Sequence, residues 1–104
     1  MARWAPIRYR DFWDVPRTFL VDDGRDTILF DCPFDTGGEE YASAYCVWLM
    51  PALTEQELVG SWARLADRGI RLLGHVPVED VSFDASKRRK VDLDVLGALG
   101  DARG

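Results

Sequence analysis

Arg17-Thr18-Phe19-Leu20-Val21-Asp22-Asp23-Gly24-Arg25-Asp26-Thr27-Ile28-Leu29-Phe30-Asp31-Cys32 is the stretch that decides the fold. Two β-prone runs, Arg17 to Val21 and Thr27 to Cys32, flank Asp22-Asp23-Gly24-Arg25. An Asp-Gly step between two apolar runs is the strongest short-range signal for a β-hairpin. Strand alternation then places Phe19 and Val21 on one face, and Ile28, Phe30 and Cys32 together on a face of the partner strand. On the N-terminal side, Ile7 to Trp13 alternates, with Ile7, Tyr9 and Trp13 on one face. Pro16 marks a bend or a strand start.

Beyond the hairpin, Pro33, Gly37-Gly38 and Glu39-Glu40 disfavour a strand, so residues 33–42 read as a loop. Ala44 to Met50 is a dense strand with Tyr45, Val47 and Leu49 on one side and Cys46, Trp48 and Met50 on the other. Apolar character on both faces belongs to a central, doubly covered strand or to a bend in the sheet. Pro51 ends it. Thr54-Glu55-Gln56-Glu57 is a capping box, in which Thr54 takes a backbone N–H and Glu57 reaches back. The helix it opens is expected to run over about 55–68, with Gly69 just past its end and Leu58, Trp62, Leu65 and Ala66 as its apolar stripe. Gly60 weakens its interior by about 1 kcal/mol relative to alanine. Ile70 to Val76 and Val78 to Phe83 read as strands, Asp84 to Lys87 as a turn, and Arg89 to Val91 as a strand pairing back. Val91, Val95, Leu96 and Leu99 then fall at helical spacing, giving a short C-terminal helix capped by Asp92.

The expected fold is therefore α+β, in one domain over 1–104. It is a strongly bent antiparallel sheet or small open β-barrel of Src-homology-like size, with one helix (about 55–68) packed on it and a short C-terminal helix; an open α/β sandwich is the second choice. Phe19, Ile28, Phe30, Val47, Trp62, Leu65 and Val81 are expected to be buried in one cluster. A chain of 104 residues and 11.8 kDa hides roughly 65% of its surface on folding, enough for a modest core without staples.

Hydrophobic residues make up 47% and charged residues 30%, a globular balance that excludes a disordered or low-complexity chain. The apolar run that contains Val47 to Ala52, Ala44 to Leu53, is too short to span a bilayer. No basic start followed by an apolar core marks a secretory signal, so the expected location is cytoplasmic. Eleven Arg against two Lys is the bias of a GC-rich bacterial genome. The net charge of −5 is uneven: residues 1–20 carry +2, residues 21–58 carry −8 and residues 59–104 carry +1. The acidic middle argues against a general nucleic-acid binder and fits a basic partner. Its plainer reading is solubility.

Four constellations carry chemistry. Cys32, between Asp31 and Asp35, sits where strand-end nucleophiles are placed, and His75 is the lone histidine available as its base. The flanking carboxylates oppose thiolate formation, and a packed thiol is the ordinary alternative. Cys32, Cys46 and His75 lack metal-ligand spacing, and the acids at 31, 35, 39 and 40 do not match a calcium loop, so no metal and no cofactor are expected. Lys87-Arg88-Arg89-Lys90 reads as a solvated turn rather than a phosphate site. Finally, Trp4 and Trp13, with Phe34 and Tyr41 from the acidic loop, are candidates for a recognition patch, since Trp and Tyr dominate binding hot spots. Trp48 and Trp62 read as core.

Two functions follow from these readings. In the first, the chain is a non-enzymatic accessory or immunity-type interaction domain. It uses Asp31, Phe34, Asp35, Glu39, Glu40 and Tyr41 to bind a basic protein partner, homodimerisation being a further option. The second is a small hydrolase or thiol enzyme built on Cys32 with His75, or on the carboxylates of the 31–40 loop.

Overall fold

The computed structural model describes residues 3–22, 24–60, 62 and 64–95. Its strands are β1 (Trp4–Trp13), β2 (Val15–Asp22), β3 (Thr27–Asp31), β4 (Phe34–Asp35), β5 (Glu40–Tyr41), β6 (Ala44–Met50), β7 (Arg71–Pro77) and β8 (Lys90–Asp92), with one α-helix, α1 (Glu55–Val59). Six of them form one sheet in the order β7-β6-β3-β2-β1-β8, antiparallel at every pairing; β4 and β5 pair separately.

The Asp-Gly hairpin is present. Asp22 pairs with Thr27 across a loop in which Gly24 takes φ 92° and donates its N–H to Asp22 Oδ1 at 2.8 Å. That positive φ is what a glycine supplies without steric cost. The register Phe19↔Phe30↔Val47 and Leu20↔Leu29↔Trp48 fixes which side chains share a face. One face carries Phe19, Val21, Ile28, Phe30, Cys32, Tyr45 and Val47, all buried and joined by Val76, Val81 and Val91. Phe19 and Phe30 stack with centroids 4.6 Å apart, and Tyr45 meets both edge-on. The Tyr45 hydroxyl donates to the Pro16 carbonyl at 2.6 Å, so the buried phenol is satisfied. Pro16 needs no donor toward β3, because that pairing begins only at Thr18.

The other face carries Leu20, Leu29 and Met50, covered by Trp62 and Leu65. The expected core residues are thus all buried, but in two clusters divided by the sheet, with Trp62 and Leu65 in the second. The expected strand over Val78 to Phe83 is instead a short 3-10 turn at Val78–Asp80 followed by a single bridge from Phe83 to Val91.

The expected helix over 55–68 is also revised. The capping box forms, with Glu57 N–H to Thr54 Oγ1 at 3.2 Å and Thr54 N–H to Glu57 Oε2 at 2.7 Å. The helix nevertheless stops at Val59, Gly60 is extended, Arg64 is left-handed with φ 61°, and Leu65–Arg68 is a 3-10 turn. A five-residue helix has little intrinsic stability, and tertiary contacts decide its path. Here the contacts come from Arg10, whose guanidinium lies 4.4 Å from the Trp62 ring centroid and donates to the Leu58 carbonyl at 2.8 Å. The apolar spacing of Leu58, Trp62, Leu65 and Ala66 correctly marks the covering segment, but not its helical form. Residues 93–95 begin a 3-10 turn after Asp92, which accepts the Asp94 N–H at 3.0 Å; the rest of the expected C-terminal helix, including Leu96 and Leu99, lies outside the described residues. Among the described residues no helix is long and apolar enough to cross a membrane.

Candidate functional site

Two chain reversals at one end of the sheet build the candidate site. β1 turns into β2 at Asp14, φ 59°, which leaves Trp13 at the strand end with 68% of its surface exposed. The second reversal is the β4–β5 hairpin. The Pro33 carbonyl accepts the Ala42 N–H at 2.8 Å, Phe34 pairs with Tyr41, and Asp35 pairs with Glu40. The expected loop over 33–42 therefore contains a two-residue hairpin pairing. The Phe34 and Tyr41 rings meet at 5.0 Å with their planes 77° apart, and Phe34 stays 51% exposed.

Arg17 ties the two reversals together. It is buried, yet every polar end is used: Nε donates to the Trp13 carbonyl at 3.1 Å, Nη2 pairs with Asp14 Oδ1 at 2.6 Å, and Nη1 lies 3.6 Å from Cys32 Sγ. Its guanidinium also lies 4.9 Å from the Tyr41 ring centroid. Trp13, Arg17, Phe34, Glu39, Glu40 and Tyr41 line a groove of about 480 Å³. Among the described residues Glu39 and Glu40 are exposed and in no ion pair. Arg17 escapes sequence reasoning because a lone arginine in an apolar strand run carries no pattern. The signal was Asp14, three residues before it, beside an exposed aromatic.

The expected site residues divide. Phe34, Glu39, Glu40 and Tyr41 share the groove, and Trp13 joins them. Trp4 does not: it pairs with Asp92 at the opposite end of β1. Asp35 contributes its backbone to the hairpin. Asp31 belongs elsewhere. It lines a second cavity of about 360 Å³ on the sheet face that Trp62 covers, together with Arg10, Asp11, Thr18 and Arg64. The register sets Arg10, Thr18, Asp31, Cys46 and His75 side by side across five strands. Burial pushes the Asp31 carboxyl above its ordinary range; the Thr18 hydroxyl at 3.4 Å pulls the other way, and the charge of Asp11 adds to the rise.

The thiols are both free. Cys32 packs in the first cluster and points its Sγ to the Ala42 carbonyl at 3.1 Å. Burial pushes its pKa up, against the pull of the Arg17 guanidinium. His75 is exposed and stands opposite Cys46, in the row that contains Asp31, so the structure does not bring Cys32 and His75 together. Burial raises the Cys46 thiol as well, followed by the charge of Asp31. Among the described residues no group of three or more His, Cys, Asp or Glu is placed to hold a metal ion. The basic turn at 87–90 is organised by Asp84, whose carboxylate accepts the Arg89 and Lys90 N–H groups at 3.0 and 2.9 Å. The Ser86 hydroxyl and these backbone donors hold the Asp84 carboxyl well below its ordinary range.

Comparison of the chain with protein-family models, curated proteins and solved structures finds no match.

Proposed function

We propose that the chain is a non-enzymatic interaction domain, a strongly bent sheet that presents the β4–β5 hairpin and Trp13 to a positively charged protein partner. The observation that carries this reading is the groove itself: two strongly exposed aromatics, Trp13 and Phe34, beside two exposed glutamates in no ion pair among the described residues. Exposed aromatic surface of this kind is depleted from idle surfaces and enriched at binding centres. The surrounding segment, residues 21–58, carries −8, which steers a basic partner toward it. A cytoplasmic bacterial accessory or immunity-type protein that neutralises a basic partner fits this chemistry.

The enzyme reading has less support. A thiol that is buried, raised in pKa and remote in register from the lone histidine lacks the base that activation requires.

The test is association kinetics with a partner captured on the immobilised chain, repeated with Asp35→Asn, Glu39→Gln and Glu40→Gln combined. Association with the wild type is expected to slow as salt rises, and the triple variant to associate at least about tenfold more slowly at low salt. Unchanged rates with unchanged salt dependence would place the interface elsewhere.

A further inference from the structure

We infer that the groove takes a single lysine side chain of the partner, its ammonium group at Glu39 and Glu40 and its methylene stem along Trp13 and Phe34. This rests on the hairpin being the partner surface and names what that surface reads.

Charge comes first. Among the described residues Arg17 is the cation lining the groove, and it is already paired with Asp14 at 2.6 Å, so the two glutamates leave the groove negative. Aromatic walls favour the same sign of ligand, because a ring face attracts a cation. Arg17 against Tyr41 at 4.9 Å is such a contact within the fold.

Shape selects among cations. The Phe34 and Tyr41 planes stand 77° apart, so they make a corner rather than a slot. A flexible lysine stem can follow the Phe34 wall while its compact ammonium turns toward Glu39 and Glu40. A planar guanidinium gains most by lying flat on one ring, and the Arg17 guanidinium already stands against Tyr41. A lysine stem also covers apolar surface while its head stays with the carboxylates. The volume, about 480 Å³, admits one side chain with its flanking backbone.

The experiment is an NMR titration of the full chain with three blocked amino acids: N-acetyl-lysine amide, N-acetyl-arginine amide and N-acetyl-norleucine amide, the last keeping the stem without the charge. The lysine probe is expected to shift the Trp13 indole and the Phe34 and Tyr41 ring signals saturably at millimolar concentration. The arginine probe should bind at least about threefold more weakly, and norleucine at least about tenfold more weakly. Trp13→Ala and Glu39→Gln/Glu40→Gln should each weaken the lysine probe about tenfold while the Trp62 indole signal stays in place, reporting an intact fold. Norleucine binding as well as lysine, arginine binding better, or no saturable shift up to about 50 mM overturns the inference. If the lysine probe fails while the partner still associates in a salt-dependent way, the anchor is wrong and the partner surface stands. If the probe binds but charge neutralisation leaves partner association untouched, the wider reading falls, and with it the lysine as the partner's contact.

Discussion

The two cavities use the same kinds of residue to opposite ends. Under Trp62 and Leu65, Arg10 stacks on Trp62 and donates to the carbonyls of Tyr9 and Leu58, so cation and aromatic are both spent on holding the chain to the sheet. In the groove, Arg17 is spent in the same way, on Asp14, the Trp13 carbonyl and Tyr41. Trp13, Phe34, Glu39 and Glu40 nevertheless stay exposed. Burying an aromatic stabilises a fold, and exposing one does not. The contrast therefore separates residues engaged in folding from exposed residues that, under the proposal, serve a partner.

The largest expected effect tests the folding side. Trp62→Ala removes a buried ring, its indole bond to the Leu58 carbonyl and the seat of Arg10. Its expected cost is about 3–5 kcal/mol in a denaturant titration, and a loss below about 1 kcal/mol would show that the second cluster is not a core.

Gly69 comes next. A Cβ there would stand 2.7 Å from Trp48 Cε3, so the ring packs directly on the glycine backbone. Gly69→Ala is expected to destabilise by about 1–3 kcal/mol, read from the same titration, whereas a helix-terminating role alone would leave alanine much less costly.

Asp31 gives a smaller effect with a definite sign. Its folded carboxyl is raised above 3.8, so the folded protein holds that proton more firmly than the unfolded chain. Its contribution to stability is then full below the unfolded value and is lost as pH rises through the folded one. Asp31→Asn should be at least as stable as the wild type at neutral pH, and the difference should vanish or reverse in acid. Paired melting curves from pH 3 to pH 7 check this; a variant less stable at pH 7 would mean that the carboxylate has a cation partner. The neighbouring thiols sharpen the point further: Cys32, buried and raised, should label far more slowly than a free thiol at neutral pH, and rapid stoichiometric labelling would reopen the enzyme reading.

How much of this was legible depended on range. Asp-Gly punctuation and two-residue alternation are local, so β2, β3 and β6 and their inward faces could be read directly. The division of the core in two could not, because alternation separates Phe19 from Leu20 without showing that Trp62 and Leu65 cover the Leu20 face. The 55–68 segment failed for a related reason: its spacing records burial, but the Arg10 latch and the left-handed Arg64 that shape it are long-range or conformational. In the candidate site, Phe34, Glu39, Glu40 and Tyr41 were adjacent in sequence and visible together. Asp31 was grouped with them by proximity in the chain, yet alternation sends consecutive residues to opposite faces, which is why Cys32 joins the first core and Asp31 the second cavity.

The most direct test of the central claim measures stability and partner binding on one variant, Trp13→Ala. The side chain is 68% exposed, so the unfolding free energy should change by less than about 0.5 kcal/mol. Affinity for the captured partner should fall at least about tenfold, mainly through faster dissociation. A variant that loses stability but keeps its affinity would contradict the account, because Trp13 would then be a folding residue and the groove beside it no interface.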